Sequence, residues 1–440
     1  MHDIHVPSEI EARYLNPSKT TTLALLAMVG IGALAFFVLL TSDADRAWQA
    51  YVANWLFFSG IAAGAVILCA ATVITKAKWN WSVRRVSLAF GAFLPISYLL
   101  MLPMLQLRES YFSWIRYMEF DPIVQLKAAY LNVPFLITRT LIGPLILFGL
   151  ILLFMYWMLR PDLGPEREND EEGVTSRARW RKRITGGKWL GLEAERERSW
   201  QKLKVLSPAL ALVYAVVMSF IIIDWAMSLE PHWFSMLFPG WFFMGAFWGG
   251  IAATVVAMVL LKRTSPYFDE HMGPQQKHDL GKLTFAFSIF WAYLLFSQYI
   301  VIWYGKLPWE QEWIINRSGT EWGGLSLLAI TLCFFVPFAA LLGRKPKLNP
   351  KWLGSIAAIA LVGLWLERWL LIAPSRHEAG TATITLWEPL IALGFLGIFV
   401  LTVRWFLSTF PVIQVWQPPQ EPEMIDREVI PEEERHTAGV

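Results

Sequence analysis

This chain has 440 residues, of which 55% are hydrophobic and 17% are charged, and its formal net charge is +3. Soluble domains carry about 25% charged residues, so this composition excludes a soluble globular domain. The seven His residues all lie outside the apolar segments, and the only two Cys, Cys69 and Cys333, lie in separate ones. These residues cannot ligate an intramembrane haem or an iron–sulfur cluster, so we expect any redox centres to belong to partner subunits.

Ten apolar stretches of roughly 20 residues follow one another along the chain. Each is long enough to cross a hydrocarbon core about 30 Å thick as a helix. The pattern predicts an all-α polytopic membrane protein with spans at 22–41, 52–74, 84–106, 131–159, 205–228, 241–261, 283–304, 325–342, 353–373 and 387–409.

Lys and Arg are distributed unevenly between the two sides of these spans. Of the 38, 28 lie in the two termini and the loops after spans 2, 4, 6 and 8, counting Arg84 and Arg85 at the start of span 3. Basic residues favour the cytoplasmic side, which predicts that both termini are cytoplasmic.

The second and sixth spans open alike, with Asn54-Trp-Leu-Phe-Phe-Ser-Gly60 and Gly240-Trp-Phe-Phe-Met-Gly-Ala246. The offset of four spans keeps both copies pointing the same way, which predicts two four-helix bundles in parallel repeat and two peripheral helices. The predicted parts are a cytoplasmic N-terminus 1–21, a peripheral helix 22–51, a bundle 52–228 with cytoplasmic loop 160–204, a bundle 229–373, a peripheral helix 374–409 and an acidic cytoplasmic tail 410–440.

Four ionisable side chains fall well inside the predicted spans. Placing one in lipid costs about 2.5–3.5 kcal/mol on insertion scales, so each is a functional hypothesis. At 1.5 Å per residue, Arg139, Asp224, Glu367 and Arg368 all lie in the outer half of the bilayer. We expect Arg139 and Asp224 to pair within the first bundle, while Glu367 and Arg368 mark the second. The alternative is that both are ion pairs that fix helix register.

Other polar residues could extend these clusters towards either surface. Glu230 and His232 follow span 5, and Gln298 and Tyr299 occupy the outer part of span 7, whereas Tyr98 and Tyr293 lie further in. A proton path needs a chain of carboxylates, imidazoles and hydroxyls, and a quinol head needs a polar pair at the end of an apolar slot. Both requirements fit this set.

Several long motifs resemble the NrfD-like family, the polysulfide reductase membrane subunits also found in alternative complex III, a quinol:cytochrome c oxidoreductase. They are Asp224-Trp-Ala-Met-Ser-Leu-Glu-Pro-His-Trp-Phe-Ser235, Tyr130-Leu-Asn-Val-Pro-Phe135 with Arg139, His278-Asp-Leu-Gly-Lys282 and Phe296-Ser-Gln-Tyr-Ile-Val-Ile-Trp-Tyr304. Because no His lies within a span, the chain looks like the second, ActF-like subunit rather than the quinol-site copy.

The resemblance implies a subunit of the bacterial inner membrane with no cofactor of its own. Quinol, as menaquinol or ubiquinol, is the substrate of such complexes, and haems and iron–sulfur clusters lie in partner subunits. The implied partners are a sister NrfD-like subunit, an iron–sulfur/molybdopterin-like periplasmic subunit, c-type haem subunits and small single-span subunits, but no nucleic acid.

Three functions compete on the sequence. The first is a non-redox membrane subunit that conducts protons through the two charged clusters and forms a wall of a quinol site. The second is an independent secondary transporter, although transporters often carry inverted repeats and this repeat is parallel. The third is a purely structural anchor of the complex.

Overall fold

The computed structural model describes residues 6–7, 10–164, 175–187, 189–319, 321–376 and 383–418. All regular secondary structure in these ranges is helical, and ten of the helical segments are long and apolar enough to cross a membrane. They are α1 (Lys19–Ser42), α2 (Ala44–Ile74), α3 (Arg84–Gln106), α4 (Val133–Leu163), α5 (Leu192–Leu229), α6 (Phe238–Thr264), α7 (Pro274–Gly305), α8 (Gly323–Ala340), α9 (Pro350–Arg376) and α10 (Trp387–Thr409). The predicted fold class is confirmed.

Several helices extend beyond the apolar stretches that identified them. The α5 helix begins at Leu192 rather than at 205, because its charged first turns consist of good helix formers and contain the Arg196–Glu193 pair at 2.6 Å. The α2 helix begins at Ala44 rather than 52, since the Asp43 side chain accepts the Arg46 N–H at 3.0 Å and caps it. Hydropathy locates the part of a helix within lipid and not its full length.

The centre of the molecule is the crossing of α2 and α6, the two most buried spans. A Cβ on Gly64 would lie 2.3 Å from the Ala246 carbonyl oxygen, and one on Gly250 would lie 2.2 Å from the Ala65 nitrogen. Only glycine permits this approach of two backbones. In the predicted repeat, Gly60 corresponds to Ala246 and Gly64 to Gly250. The two members of each pair meet at the crossing of α2 and α6, as expected when a pseudo-twofold axis along the membrane normal relates the two repeats.

The remaining helices surround this crossing. The α3, α4 and α5 helices pack with α2, and α7 and α9 pack with α6, while α9 also contacts α2. The α8 helix packs against α7 and α9. The α1 and α10 helices pack against each other at the periphery, where a Cβ on Gly32 would lie 2.3 Å from the Cα of Gly394. The two predicted bundles are therefore in direct contact along α2.

The structure corrects one boundary of the predicted parts, at residue 410; the terms inner and outer follow the orientation predicted from Lys and Arg. Residues 411–416 are buried, and the N–H groups of Val415 and Trp416 donate to Asp162 at 3.1 and 2.8 Å. Asp162 also forms an ion pair with Arg85. The chain after 410 thus starts as part of the fold, because it caps the inner end of α4; residues 419–440, most of the predicted acidic tail, lie outside the described residues.

Candidate functional site

The first charged cluster joins α4 to α5. Arg139 binds the Asp224 carboxylate through two nitrogens, Nη2 to Oδ1 at 2.8 Å and Nε to Oδ2 at 3.0 Å. Only 7% of the Arg139 side chain and 3% of the Asp224 side chain are exposed, so this bidentate pair is shielded from solvent. The pairing expected from the depth of the two residues is present.

The start of α4 positions this guanidinium. The Asn132 side chain caps the helix by accepting the Phe135 N–H at 2.9 Å. Arg139, two turns further on, then lies 3.8 Å from the Tyr130 ring centroid and 4.1 Å from that of Phe135. Two aromatic faces hold the cation by cation–π attraction, so its position does not depend on Asp224 alone.

Tyr130 completes the cluster, a role that the residue pattern did not predict. Its hydroxyl donates to Asp224 Oδ1 at 3.0 Å, and its carbonyl accepts from Arg139 Nη1 at 3.1 Å. Burial and the negative charge of Asp224 raise the pKa of Tyr130 above its ordinary value. The hydroxyl therefore stays protonated and donates to Asp224, and the residue as a whole is partly exposed in the loop before α4.

An apolar cavity of about 470 Å³ extends from this cluster between α4 and α5. Arg139 and Asp224 are its charged lining residues, and the rest of the lining is almost wholly apolar. Ile146, Leu212 and Val216 line the cavity and are themselves 47–67% exposed, so it opens sideways on the membrane-facing surface. Its shape is that of a slot with a polar pair at one end.

The second cluster lies on α9, where Glu367 and Arg368 form a buried ion pair. The Arg368 guanidinium also donates to the Phe242 carbonyl at 3.2 Å and lies 4.3 Å from its ring centroid. The Trp291 indole nitrogen lies close enough to the Glu367 carboxylate to interact with it, although no hydrogen bond of standard geometry joins it to Glu367 Oε2 among the described residues. The second carboxylate oxygen is therefore bound less tightly than the first, which pairs with Arg368.

The two buried carboxylates lie on α5 and α9, which correspond to each other in the predicted repeat. Asp224 on α5 and Glu367 on α9 each precede a proline by seven residues, Pro231 and Pro374. Their counter-charges differ in origin: Arg139 comes from the neighbouring helix α4, whereas Arg368 is the next residue of α9 itself.

Glu230 is part of an outer network with Arg317, which sequence reasoning missed. Glu230 Oε1 accepts from Arg317 Nη1 at 3.0 Å and from the Ser375 hydroxyl at 2.5 Å. Burial lowers the pKa of Arg317, and the Glu230 charge opposes that shift. A signal existed, because Arg317 is one of few basic residues in the predicted outer loops.

His232 lies at the outer surface and pairs with Asp121 at 2.6 Å. Desolvation raises the pKa of Asp121, but hydrogen bonds from His232 and from the Ile123 and Val124 N–H groups outweigh it, so the pKa lies below its ordinary value. This pair links the outer loops after α3 and α5. It does not contact Asp224.

The remaining candidates separate into two groups. Gln298 is buried and accepts from the Ser235 hydroxyl at 3.1 Å, and the Tyr98 hydroxyl donates to the Leu141 carbonyl at 3.3 Å. By contrast, the side chains of Tyr293 and Tyr299 are 60% and 44% exposed, on the side of α7 that faces away from the rest of the protein. A path through the interior does not pass through these two, because α7 turns them away from both carboxylates.

These features define an integral membrane protein with two carboxylate–guanidinium pairs buried near the outer ends of equivalent helices. The sequence profile of the family described as "Polysulphide reductase, NrfD" matches residues 38–378, which is 341 of the 440 residues. The chain therefore belongs to the NrfD family. Members of this family are membrane subunits of quinol-linked redox complexes and assemble with redox subunits. A comparison with curated proteins finds no match.

Proposed function

We propose that this chain is an ActF-like subunit of a quinol:cytochrome c oxidoreductase of the alternative complex III type. In this proposal it holds no redox centre, its cavity between α4 and α5 forms a wall of a quinol site, and Asp224 accepts and passes on protons that are released there. The observation that carries the proposal is the Asp224–Arg139–Tyr130 cluster at one end of a sideways-opening apolar cavity. Family membership favours this function over an independent transporter.

The cavity suits an isoprenoid quinol because its two ends differ in polarity. A hydrophobic tail can enter from the membrane between exposed apolar side chains, and the head then meets the Asp224 carboxylate and the Arg139 guanidinium. Oxidation of a quinol releases two protons and two electrons. The electrons would pass to the redox centres of partner subunits, and a carboxylate within reach of the head can accept the protons one at a time. Tyr130, partly exposed in the outer loop, offers the next hydroxyl towards the outer surface.

The second carboxylate serves as a separate proton-exchange point in this proposal. Glu367 Oε2 has only the Trp291 indole beside it as a weakly placed donor, and Glu230 and His232 lie nearer the outer surface, as an outward release of protons requires. The excess of Lys and Arg in alternate loops supports the proposed orientation, with both termini on the cytoplasmic side of the bacterial inner membrane.

The test compares Asp224→Asn with Glu195→Gln in the purified complex. Glu195 forms a buried ion pair with Arg160 at the inner end of the same helix, so its substitution controls for the loss of any buried pair. Quinol oxidation and proton release are measured in liposomes. We expect Asp224→Asn to lower both about tenfold or more and Glu195→Gln to leave turnover per assembled complex unchanged. Equal turnover in the two variants would instead support a structural anchor.

A second variant tests the cavity itself. Val213→Phe places a larger side chain in the lining, whereas Leu145→Phe adds the same ring at an exposed α4 position outside the cavity. Quinol binding should weaken in Val213→Phe and remain normal in Leu145→Phe. Normal quinol binding in both variants would remove the cavity from the proposal.

A further inference from the structure

The half of α7 that faces away from the rest of the protein carries exposed aromatic side chains between residues 290 and 304. Tyr293, Phe296, Trp303 and Tyr304 lie near the middle of this face, and Phe290 and Tyr299 lie at its two opposite edges, because each residue of a helix is rotated by about 100° from the one before. The Phe290 and Tyr293 rings are stacked, with centroids 6.1 Å apart. Neighbouring Ala286 and Ser297 are small enough to let another helix approach this face.

Tyr293 lies at the middle of the membrane by its position on α7. Lys282 and Lys306 bound the apolar stretch, and Tyr293 is eleven residues from the first and thirteen from the second. At 1.5 Å per residue the distances are about 16 and 20 Å, and a hydrocarbon core is about 30 Å thick. Its hydroxyl is therefore too deep to reach the headgroup region on either side.

The exposed hydroxyl at this depth has no internal partner. No hydrogen bond from Tyr293 is formed within the described part of the chain, and its side chain is 60% exposed. Acyl chains offer no acceptor, so a polar group facing them is costly. Tyr304 differs, because at the end of α7 its hydroxyl can reach headgroups and water.

We propose that a transmembrane helix of a partner subunit covers this face of α7 and offers Tyr293 a hydrogen-bond acceptor at mid-membrane. The acceptor is a backbone carbonyl freed from its helix or a polar side chain, since both occur between membrane helices. The inference goes beyond the proposed function. It requires only that the chain assembles with other membrane-spanning subunits.

The first test identifies what lies against this face in the native complex. The photo-crosslinking residue p-benzoylphenylalanine replaces Phe290 or Phe296 on α7, and replaces Leu327 on the exposed apolar face of α8 as a control. We expect both α7 positions to give adducts with a membrane-spanning segment of a different subunit. Adducts with lipid only, or between two copies of this chain, would overturn the proposal.

The second test concerns the hydroxyl alone. Tyr293→Phe and Tyr304→Phe remove the same atom at mid-membrane and at the helix end. One hydrogen bond between membrane helices corresponds to about a three- to fifteenfold change in association, so we expect Tyr293→Phe to lower retention of the crosslinked subunit in detergent by that factor. Tyr304→Phe should retain it fully. Equal retention in the two variants would refute the proposed hydrogen bond. The proposed function is tested separately, by quinol turnover of intact complexes, so the two failures can be distinguished.

Discussion

Substituting both members of the Arg139–Asp224 pair separates its chemical role from its structural one. Arg139→Met leaves the Asp224 carboxylate buried with only the Tyr130 hydroxyl as a charge-stabilising donor. Removing one partner of a buried pair typically costs about 3–5 kcal/mol, whereas replacing both by apolar residues of similar volume is often neutral. The double variant Arg139→Met/Asp224→Leu should therefore recover most of the stability that each single variant loses.

The magnitude follows from the geometry of the pair. Two charge-assisted hydrogen bonds of 2.8 and 3.0 Å join side chains that are at most 7% exposed, so solvent cannot replace either partner. Thermal unfolding in detergent should show both single variants well below the wild type and the double variant close to it.

The decisive measurement is quinol turnover of the double variant in the assembled complex. We expect a stable but inactive protein, because the apolar pair restores packing without a proton acceptor. Wild-type turnover in a stable double variant would refute the reasoning, since the pair would then serve only to fix the packing of α4 against α5.

Two further predictions concern packing and the outer loops. Gly250→Ala would force α2 and α6 apart, because its Cβ would lie 2.2 Å from a backbone atom of α2, and it should cost about 1–3 kcal/mol of stability in thermal unfolding. Gly149→Ala, whose Cβ would have no atom within 4 Å, should be tolerated in the same assay. Because the pKa of Asp121 is lowered in the folded protein, its stabilising contribution is present above the ordinary value of 3.8 and is lost as pH falls through the lowered pKa. The hydrogen-exchange protection factors of residues 113–132, which are corrected for the intrinsic pH dependence of exchange, should therefore fall below pH 3.8 in the wild type. They should already be lower at pH 5 in Asp121→Asn, and identical protection in both proteins at pH 5 would contradict this assignment.

The pairing of Arg139 with Asp224 was predictable because depth in a membrane helix follows from counting residues. Two opposite charges at similar depth on adjacent spans have few other ways to avoid lipid. The adjacency of Glu367 and Arg368 needed no structure at all. Counting also located the ten spans, since an apolar stretch of that length is required for each crossing.

The facing of individual side chains was not predictable in the same way. The α7 helix is apolar on every side, so its sequence contains no amphipathic signal that distinguishes the interior from the lipid face. Residue type alone therefore predicts an internal path through Tyr293 and Tyr299, and the structure shows both side chains exposed instead. The cavity escaped prediction for the same reason, because its existence depends on how α4 and α5 rotate and separate.

The origin of the two counter-charges determines which carboxylate can respond to the cavity. Asp224 on α5 is compensated from α4, and the cavity lies between these same two helices, so a bound ligand that shifts either helix alters the pair. Glu367 is compensated by the next residue of its own helix and does not line the cavity. Quinol binding should therefore perturb the carboxylate band of Asp224 in infrared difference spectra, and Asp224→Asn should abolish that signal. Loss of the signal in Glu367→Gln instead would show that the second bundle, and not the α4–α5 cavity, senses the ligand.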